Sequence, residues 1–212
     1  MKNANNDVIA LLAAGASQRF GGVKLTQPLS SSMSGETETT ETVIGTVYYR
    51  LSQVADITGA RLVVVVGGHS EQVIDCLPKD AEVLENEHWQ KGIGHSIGKA
   101  AQFAQQQQAS SLMIALGDQV ALTLDDYLRL FIARHRPETR VSAFYDQTPS
   151  VPAIFHQQDF DDLTQLSGDT GAKSLLQQRY QEGKLIATHL PRGEIDIDTP
   201  EQLTHFCQSQ LN

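Results

Sequence analysis

The sequence predicts a single α/β domain with a Rossmann-like, three-layer arrangement, in which a mostly parallel sheet lies between two layers of helices. Apolar segments that suit buried strands occur at Val8–Leu12, Leu62–Val66 and Leu112–Leu116, and segments of helical periodicity lie between them. Each of these strands ends at small residues or glycine. Strands that are apolar throughout are typical of a parallel sheet covered on both faces. A chain of 212 residues suits one domain, which we expect to span residues 1–212.

Shorter segments complete this alternation. Two more strands are expected at Val141–Phe144 and Ala153–Phe155. Helices are expected at Val43–Ile57, Glu71–Leu77, Ser96–Gln107, Leu124–His135, Asp169–Tyr180 and Pro200–Gln210. Ser70 and Thr199 precede two of these helices and are suited to be their N-caps.

Composition and charge argue against several classes of function. The net charge of −9 argues against binding to nucleic acid, whose phosphates require clustered Lys and Arg. No apolar run approaches the ~20 residues of a membrane span, and the apolar stretch after the polar N-terminus is too short for the core of a signal peptide. We therefore expect a cytoplasmic protein without a membrane partner. Cys76 and Cys207 match no metal-ligand spacing and are expected to be ordinary thiols.

One segment differs from the rest in composition. Residues Ser30 to Thr42 are almost all Ser, Thr and Glu. Such a segment buries too little apolar surface to offset the entropy of ordering it. We expect a mobile surface loop here, either a tolerated insertion or a lid that closes on substrate.

The turns at the strand ends are the candidate site, because ligands of doubly wound sheets bind beyond the carboxyl ends of the strands. In the segment Leu11–Lys24, the three small residues Ala13-Ala14-Gly15 allow a ligand to approach the main chain closely. The N–H groups of the main chain can then face a phosphate or a base edge. Arg19 offers a planar set of donors, and Lys24 adds a compact cation. The segment lacks the Gly-Lys-Ser/Thr ending of a P-loop and the close glycine spacing of the dinucleotide fingerprint. An ordinary turn with surface cations therefore stays open as an alternative.

Acidic residues follow at two later positions. Asp118 ends a buried strand, where a carboxylate can bridge a hard cation such as Mg²⁺ to substrate phosphates. Asp196 and Asp198 alternate along an extended segment and so share one side of it. If that segment lies near Asp118, two carboxylates can hold a metal ion. The alternatives are a turn aspartate at Asp118 and a simple capped helix start after Asp198.

Taken in order, these pieces resemble the MobA-like nucleotidyltransferase family, and within it the molybdenum cofactor cytidylyltransferase branch. The family signature Leu-Ala-Ala-Gly-x-Ser-x-Arg-x-Gly, followed by Lys, is matched by Leu12–Gly21 and then Lys24. The matching segments downstream are Val64–His69, Asn86–Ser96, Leu116–Gln119, Pro152–Phe155, Leu166–Lys173 and Asp196–Pro200. The resemblance covers nearly the whole chain, and several motifs in register make it specific.

The resemblance implies a fold of the nucleotide-diphospho-sugar transferase (GT-A-like) type and a role for each matching residue. The residues implied in nucleotide binding are Leu12, Ala13, Ala14, Gly15, Arg19, Lys24, Gly68, Gly94 and Ser96. Arg19, Lys24 and Asp118 would be catalytic, and Asp118 and Asp198 would hold Mg²⁺. Ala13-Ala14-Gly15 favours CTP, because the GTP-using branch typically has Ala-Gly-Gly. The acceptor would be the terminal phosphate of molybdopterin bearing molybdenum, and a molybdoenzyme of the xanthine dehydrogenase type would be a further partner.

The chain departs from the family pattern at three places. Val23 stands where Asp often precedes the lysine, Val120 stands where proline is usual, and the Ser/Thr/Glu segment replaces a Gly-x-Pro stretch. Other readings therefore stay open: a pyrophosphorylase for another phosphorylated acceptor, and a non-catalytic chaperone for the molybdenum cofactor. Gly94–Gly98 also matches the Gly-x-Ser-x-Gly elbow of a serine hydrolase around Ser96, although the polar residues before it do not suit the strand that the elbow needs.

Overall fold

The computed structural model describes residues 6–15, 20–29, 42–195 and 197–209. Within them the strands are β1 (Asp7–Ala13), β2 (Arg61–Val66), β3 (Val83–Glu85), β4 (Ser111–Leu116), β5 (Arg140–Tyr145), β6 (Thr148–His156) and β7 (Leu185–His189). The helices are α1 (Val43–Thr58), α2 (Ser70–Ile74), α3 (Ile93–Gln106), α4 (Leu124–Ala133), α5 (Phe160–Thr164), α6 (Lys173–Gln181) and α7 (Pro200–Ser209). Short 3-10 turns occur at Lys24–Thr26, Trp89–Lys91, Gln157–Asp159 and Pro191–Glu194.

The described strands form one seven-stranded sheet in the order β3-β2-β1-β4-β6-β5-β7. β1 pairs in parallel with β2 and with β4, β2 pairs in parallel with β3, and β5 pairs in parallel with β7. Among these strands, only β6 is antiparallel to its neighbours, β4 and β5. The predicted α/β class with a mostly parallel sheet is therefore confirmed.

The core has two halves, one on each face of the sheet. Along β1 every side chain is buried, and the side chains alternate between the faces. Ile9 and Leu11 pack with residues of α1 and α4, whereas Val8 and Ala10 pack with residues of α3, α5 and α6. Helices thus cover both faces of the central strands, which is the three-layer arrangement that the apolar strands predict. None of the helices in the described ranges is long and apolar enough to cross a bilayer.

Several predicted boundaries were wrong, and some elements were missed. The helix expected from Glu71 begins at Ser70 and ends at Ile74, so Ser70 is its first residue and its cap position is His69. The helix expected from Asp169 begins only at Lys173, because the chain first passes Gly168 and Gly171 with φ of 73° and 57°. Thr199 does accept a hydrogen bond from the backbone N–H of Gln202, as a capping residue should.

Three elements had no clear sequence signal. β3 is three residues long and only partly buried, and β7 lies at the edge of the sheet with two polar residues among its five. α5 is a single short turn of helix with two buried residues. Such elements are held by the neighbours against which they pack, so their own periodicity is weak.

Candidate nucleotide and metal site

A cleft of about 610 Å³ opens at the carboxyl ends of the central strands. β1 and β4 lie side by side in parallel, so the turns that follow them meet at this edge of the sheet. The lining residues are Leu12, Ala13, Ala14, Gly15, Phe20, Lys24, Leu25, Trp89, Gln90, Gly92, Ile93, Ser96, Leu116, Gly117, Asp118, Asp169 and Asp198. Most of the residues that the sequence assigns to the site are therefore brought together by the fold.

The turn after β1 forms one wall of this cleft. The backbone N–H of Gly68 donates to the carbonyl oxygen of Ala14 at 3.2 Å, which ties this turn to the turn after β2. A Cβ at Gly15 would meet no heavy atom within 4 Å, so the space beside this glycine is open. The backbone can thus be approached closely by a ligand at Gly15. Arg19 lies outside the described residues, and its phosphate-binding role stays a prediction.

Lys24 lies between two carboxylates at the floor of the cleft. Its Nζ is 2.8 Å from Oδ2 of Asp118 and 3.4 Å from Oδ1 of Asp198. The lysine side chain is only 10% exposed, whereas the carboxylates are 30% and 25% exposed. The fold therefore brings together three residues that are far apart in sequence. Carboxylate oxygens of Asp118 and Asp198 converge on the ammonium group of Lys24. Asp196 lies outside the described residues.

Local structure holds each carboxylate in place. Asp118 is the second residue after β4, and a Cβ on the preceding Gly117 would lie 2.8 Å from Ile44 Cδ1 and 3.2 Å from the Leu12 carbonyl oxygen, so the chain is closely packed at this point. Gln119, which comes next, donates through Nε2 to Tyr145 Oη and to the Val151 carbonyl oxygen. These contacts anchor the turn in β5 and β6.

Asp198 is held by the start of α7. The backbone N–H groups of Asp198 and Thr199 donate to Oε1 of Gln202 at 2.7 and 2.9 Å. The helix start is thus capped, as the alternative reading of this segment proposed, and the same cap positions the Asp198 carboxylate beside Lys24. The capped helix start is therefore observed, while the binding of a metal ion by Asp198 stays a prediction.

The donor set suits a hard divalent cation. No cluster of three or more His, Cys, Asp or Glu suited to a metal occurs in the part of the chain that the structure describes. Magnesium is commonly held by one or two carboxylates together with substrate phosphates and water. Asp118 and Asp198 fit that description, since their oxygens already share a cation in Lys24.

The wall opposite the β1 turn is built from the Trp89–Lys91 turn and the start of α3. The backbone N–H of Gly168 donates to the Lys91 carbonyl oxygen at 2.9 Å, and the N–H of Gly94 donates to the Gly168 carbonyl oxygen at 2.9 Å. A Cβ at Gly94 would lie 2.7 Å from the backbone nitrogen of Ser167. The two segments can therefore pair only because Gly94 has no side chain.

Gly68 and Gly94 are absent from the cleft wall, although the resemblance implies that they bind nucleotide. A Cβ at Gly68 would lie 3.1–3.2 Å from the ring of Trp89, which itself lines the cleft. Both glycines thus act on the shape of the cleft through the residues packed against them. Their direct contact with a nucleotide stays a prediction.

Ser96 lines the cleft but does not lie on a nucleophile elbow. It is the fourth residue of α3, and the segment before that helix is a 3-10 turn where the elbow requires a strand. Its Oγ accepts a hydrogen bond from Asn86 Nδ2 at 2.9 Å. The serine hydrolase alternative is therefore wrong, because the strand that would expose the serine is missing from this described part of the chain.

Asn86 was not among the predicted site residues. It is 1% exposed and lies immediately behind Ser96. Its Oδ1 accepts from the backbone N–H of His88 at 3.1 Å and lies 2.8 Å from His95 Nδ1. Its position at the head of the Asn86–Ser96 motif was the available signal, but a lone Asn in a polar segment does not predict burial.

Comparisons with known structures agree with this architecture and define the class of protein. The chain matches Rv0371c from Mycobacterium tuberculosis H37Rv with a TM-score of 0.73 and 23% identity over 97% of this chain and 99% of that one. A structure of that protein in complex with manganese gives a TM-score of 0.67 and 21% identity over 97% and 100% of the chains. The class is that of α/β proteins with the nucleotide-diphospho-sugar transferase fold.

Two structures of stated function have the same fold at lower identity. A CMP:2-keto-3-deoxy-manno-octonic acid synthetase complexed with CTP matches with a TM-score of 0.69 and 13% identity over 97% and 98% of the chains. The molybdopterin-guanine dinucleotide biosynthesis protein A from Archaeoglobus fulgidus matches with a TM-score of 0.60 and 15% identity over 96% and 98%. At these identities the likeness concerns the fold alone.

The family follows from the sequence match. The model of the MobA-like NTP transferase domain matches residues 9–183. The chain belongs to this family and is a nucleotidyltransferase of the MobA-like type. The purine catabolism protein PucB of Bacillus subtilis (strain 168) is 33% identical over 115 residues, which are 53% of this chain and 55% of that protein. The match thus spans about half the length of that curated relative.

Proposed function

We propose that this protein transfers CMP from CTP to the terminal phosphate of molybdopterin bearing molybdenum and releases pyrophosphate. The observation that carries the proposal is the position of Lys24, whose ammonium group lies between Asp118 and Asp198 at the floor of a cleft walled by small residues. A cation and two carboxylates at this point are what a triphosphate and its metal ion require. The recipient of the product would be a molybdoenzyme of the xanthine dehydrogenase type, as the resemblance implies.

The main chemical demand of the reaction is neutralisation of charge, because two anions must approach each other. An oxygen of the acceptor phosphate attacks the α-phosphorus, a new P–O bond forms, and the bond to the β-phosphate breaks with its electron pair leaving on pyrophosphate. An acceptor phosphate is largely ionised near neutral pH, so the reaction requires no general base. Lys24 would bind the triphosphate and stabilise the leaving pyrophosphate, and Arg19 is proposed to share this role.

Asp118 and Asp198 would hold Mg²⁺, which supplies Lewis-acid stabilisation of phosphate charge when bound. The fit rests on their convergent oxygens. The manganese complex of Rv0371c supports a divalent cation in a protein of the same fold. In the free protein the Lys24 ammonium shares these oxygens, so we expect the lysine to turn toward the triphosphate when a metal–nucleotide complex binds.

The preference for CTP rests on the small-residue turn. Ala13 and Ala14 line the cleft where the GTP-using branch has one alanine followed by glycine. The CTP complex of the synthetase with the same fold supports a cytosine nucleotide, and the molybdopterin-guanine protein supports a molybdopterin acceptor. Ala14 carries a methyl group where that branch has glycine, and this difference is proposed to favour the smaller pyrimidine ring.

The test is a thermal-shift panel of CTP, GTP, ATP and UTP, each with Mg²⁺, followed by measurement of pyrophosphate release. A ligand that binds the native state raises the melting temperature, so we expect the largest rise with CTP and a smaller one in Asp118→Ala. Pyrophosphate release should then require molybdopterin as acceptor. A flat response to all four nucleotides would reject the proposal, and release with a sugar phosphate but not with molybdopterin would reassign the acceptor. Nucleotide binding without any release would indicate a non-catalytic chaperone.

A further inference from the structure

The side chain of Asn86 is buried directly behind the cleft wall and contacts three different groups. The residue follows β3, where its backbone N–H donates to the Val66 carbonyl oxygen at 2.9 Å. Its side chain reaches the backbone of His88, the ring of His95 and the hydroxyl of Ser96. Of these, Ser96 lines the cleft.

The orientation of the Asn86 amide is fixed by one of these contacts. The backbone N–H of His88 can only donate, and it lies 3.1 Å from Oδ1. The atom facing Ser96 is therefore the amide nitrogen, at 2.9 Å from Oγ. The backbone donor alone fixes this orientation, independently of the tautomer or rotamer of any neighbouring side chain.

The ring of His95 adds a second donor to the same oxygen. Because Oδ1 accepts hydrogen bonds, the nearby Nδ1 of His95, at 2.8 Å, carries a proton. The ring of His88 packs edge-on against that of His95, with centroids 5.5 Å apart and an interplanar angle of 76°. Asn86 is thus held in one orientation from two sides.

The fixed amide determines what the Ser96 hydroxyl can do. An amide NH₂ group donates and does not accept, so Ser96 Oγ is the acceptor in this pair. The hydroxyl hydrogen must then point elsewhere. Across the described ranges, Ser96 Oγ makes no second side-chain hydrogen bond, and the residue borders the open cleft.

We propose that Asn86 is a positioning residue that makes Ser96 a hydrogen-bond donor toward the nucleobase and thereby favours cytosine over uracil. The inference rests on the proposed function and places the base beside Ser96, which lines the cleft and is one of the residues that the resemblance implies in nucleotide binding. Cytosine presents an unprotonated ring nitrogen at N3, whereas uracil carries N–H at the same place. A hydroxyl group held as a donor can form a hydrogen bond to N3 of cytosine, whereas it faces another donor at N3–H of uracil. One fixed hydrogen bond can therefore discriminate between two bases of equal size.

Asn86→Asp is the decisive variant, because it keeps the size and the Oδ1 contacts but replaces the donor NH₂ with an acceptor oxygen. Ser96 would then donate to that oxygen and present its lone pairs to the cleft. We expect the ratio of CTP to UTP affinity to fall about tenfold, which is the effect of reversing one hydrogen bond. Affinities can be measured by quenching of Trp89, the only tryptophan of the chain and a residue of the cleft wall, with each nucleotide and Mg²⁺.

Ser96→Ala is the matched control, alone and combined with Asn86→Asp. The single variant should lose most of the preference for CTP, and adding Asn86→Asp should change the ratio no further, because the hydroxyl through which Asn86 acts is gone. If the role of Asn86 is purely structural, Asn86→Asp should lower the affinities for CTP and UTP equally and leave their ratio unchanged. If Asn86→Asp does not fold, Ser96→Ala still decides: an unchanged CTP to UTP ratio in that variant overturns the inference.

The wild-type protein separates this inference from the function on which it rests. Binding of CTP and UTP with equal affinity would overturn the role of Asn86 and leave the nucleotidyltransferase proposal standing. Failure to bind either nucleotide would overturn the proposed function, and the inference with it.

Discussion

Lys24 and Asp118 form an ion pair of 2.8 Å at the floor of the cleft, and Asp198 lies on the other side of the same ammonium group at 3.4 Å. The pair means that the protein's own cation offsets part of the negative charge of the carboxylates proposed for the metal before any metal binds. A divalent ion and the lysine therefore compete for the same oxygens, while a triphosphate attracts both.

Lys24→Met should separate these effects. Without the ammonium group, the free protein should bind Mn²⁺ roughly tenfold more tightly, because a charged hydrogen-bond donor no longer competes for the carboxylates. The affinity for CTP with Mg²⁺ should fall, because a triphosphate contact is lost. Isothermal titration with Mn²⁺ alone, and then with nucleotide, measures both. Lys184→Met, at a well-exposed lysine that pairs with Glu182, is the control and should change neither affinity. Weaker or equal Mn²⁺ binding by Lys24→Met would contradict the competition.

Gly15→Ala should weaken nucleotide binding without loss of stability. Among the described residues, the added methyl group meets no heavy atom within 4 Å beyond its chain neighbours, and Gly15 lines the cleft where the ligand is proposed to lie against the main chain. We expect an unchanged or slightly higher melting temperature, since alanine reduces the freedom of the unfolded chain, and a fall of about tenfold in CTP affinity. Gly22→Ala is the matched control, because its methyl group also meets nothing within 4 Å but the residue does not line the cleft. Equal CTP affinity in the two variants would show that the ligand does not approach Gly15.

Arg134→Met should destabilise the fold by about 3 kcal/mol, because it leaves a buried carboxylate without its cation. Arg134 Nη2 lies 2.8 Å from Asp7 Oδ2, and both side chains are 4% exposed. Ser111 joins the two by donating to Asp7 and accepting from Arg134. Denaturant unfolding measures the loss.

The double variant Asp7→Asn/Arg134→Met tests whether the loss comes from the unpaired charge. Removal of that charge should restore part of the stability lost in Arg134→Met. If the two single losses simply add in the double variant, the residues do not act as a pair.

The free energy of unfolding should fall as the pH is lowered through the histidine range. Burial, and then the nearby cations led by Lys91, lower the pKa of His95, and burial, followed by Arg140, lowers the pKa of His156. A histidine with a lowered pKa in the native state takes up its proton more readily when unfolded. The unfolded state therefore binds more protons, and stability is lost as pH falls below the ordinary histidine value near 6.5.

His95→Gln should make this dependence shallower, and a further His156→Gln should make it shallower again. Unfolding by denaturant at several values between about pH 7 and about pH 5 gives the slopes. A wild-type stability that rises on acidification over this interval, or slopes that are the same in all three proteins, would refute the assignment.

The residues of the candidate site could be named from sequence motifs, whereas the contacts between them could not be predicted. Lys24, Asp118 and Asp198 could be named because each stands in a motif that resembles a family. That Lys24 pairs with both carboxylates could not be predicted, since the contact depends on where β4 and α7 meet the β1 turn. Asn86 was missed as a functional residue for a related reason: its burial comes from packing against α3 and the Trp89 turn, and no local pattern marks it.

The sequence by itself determined the central layer of this protein and the order of its motifs. β1, β2 and β4 are largely apolar runs. An apolar strand of that length is stable only where both of its faces are covered, so its sequence pattern alone predicts a central strand. Only the tertiary structure decided the edge strands β3 and β7, the close pairing of Gly94 with the Ser167–Gly168 backbone, and the hydrogen-bond direction of Ser96. Each of these depends on a neighbour distant in sequence, and a local pattern of apolar and polar residues contains no record of which distant atoms will meet.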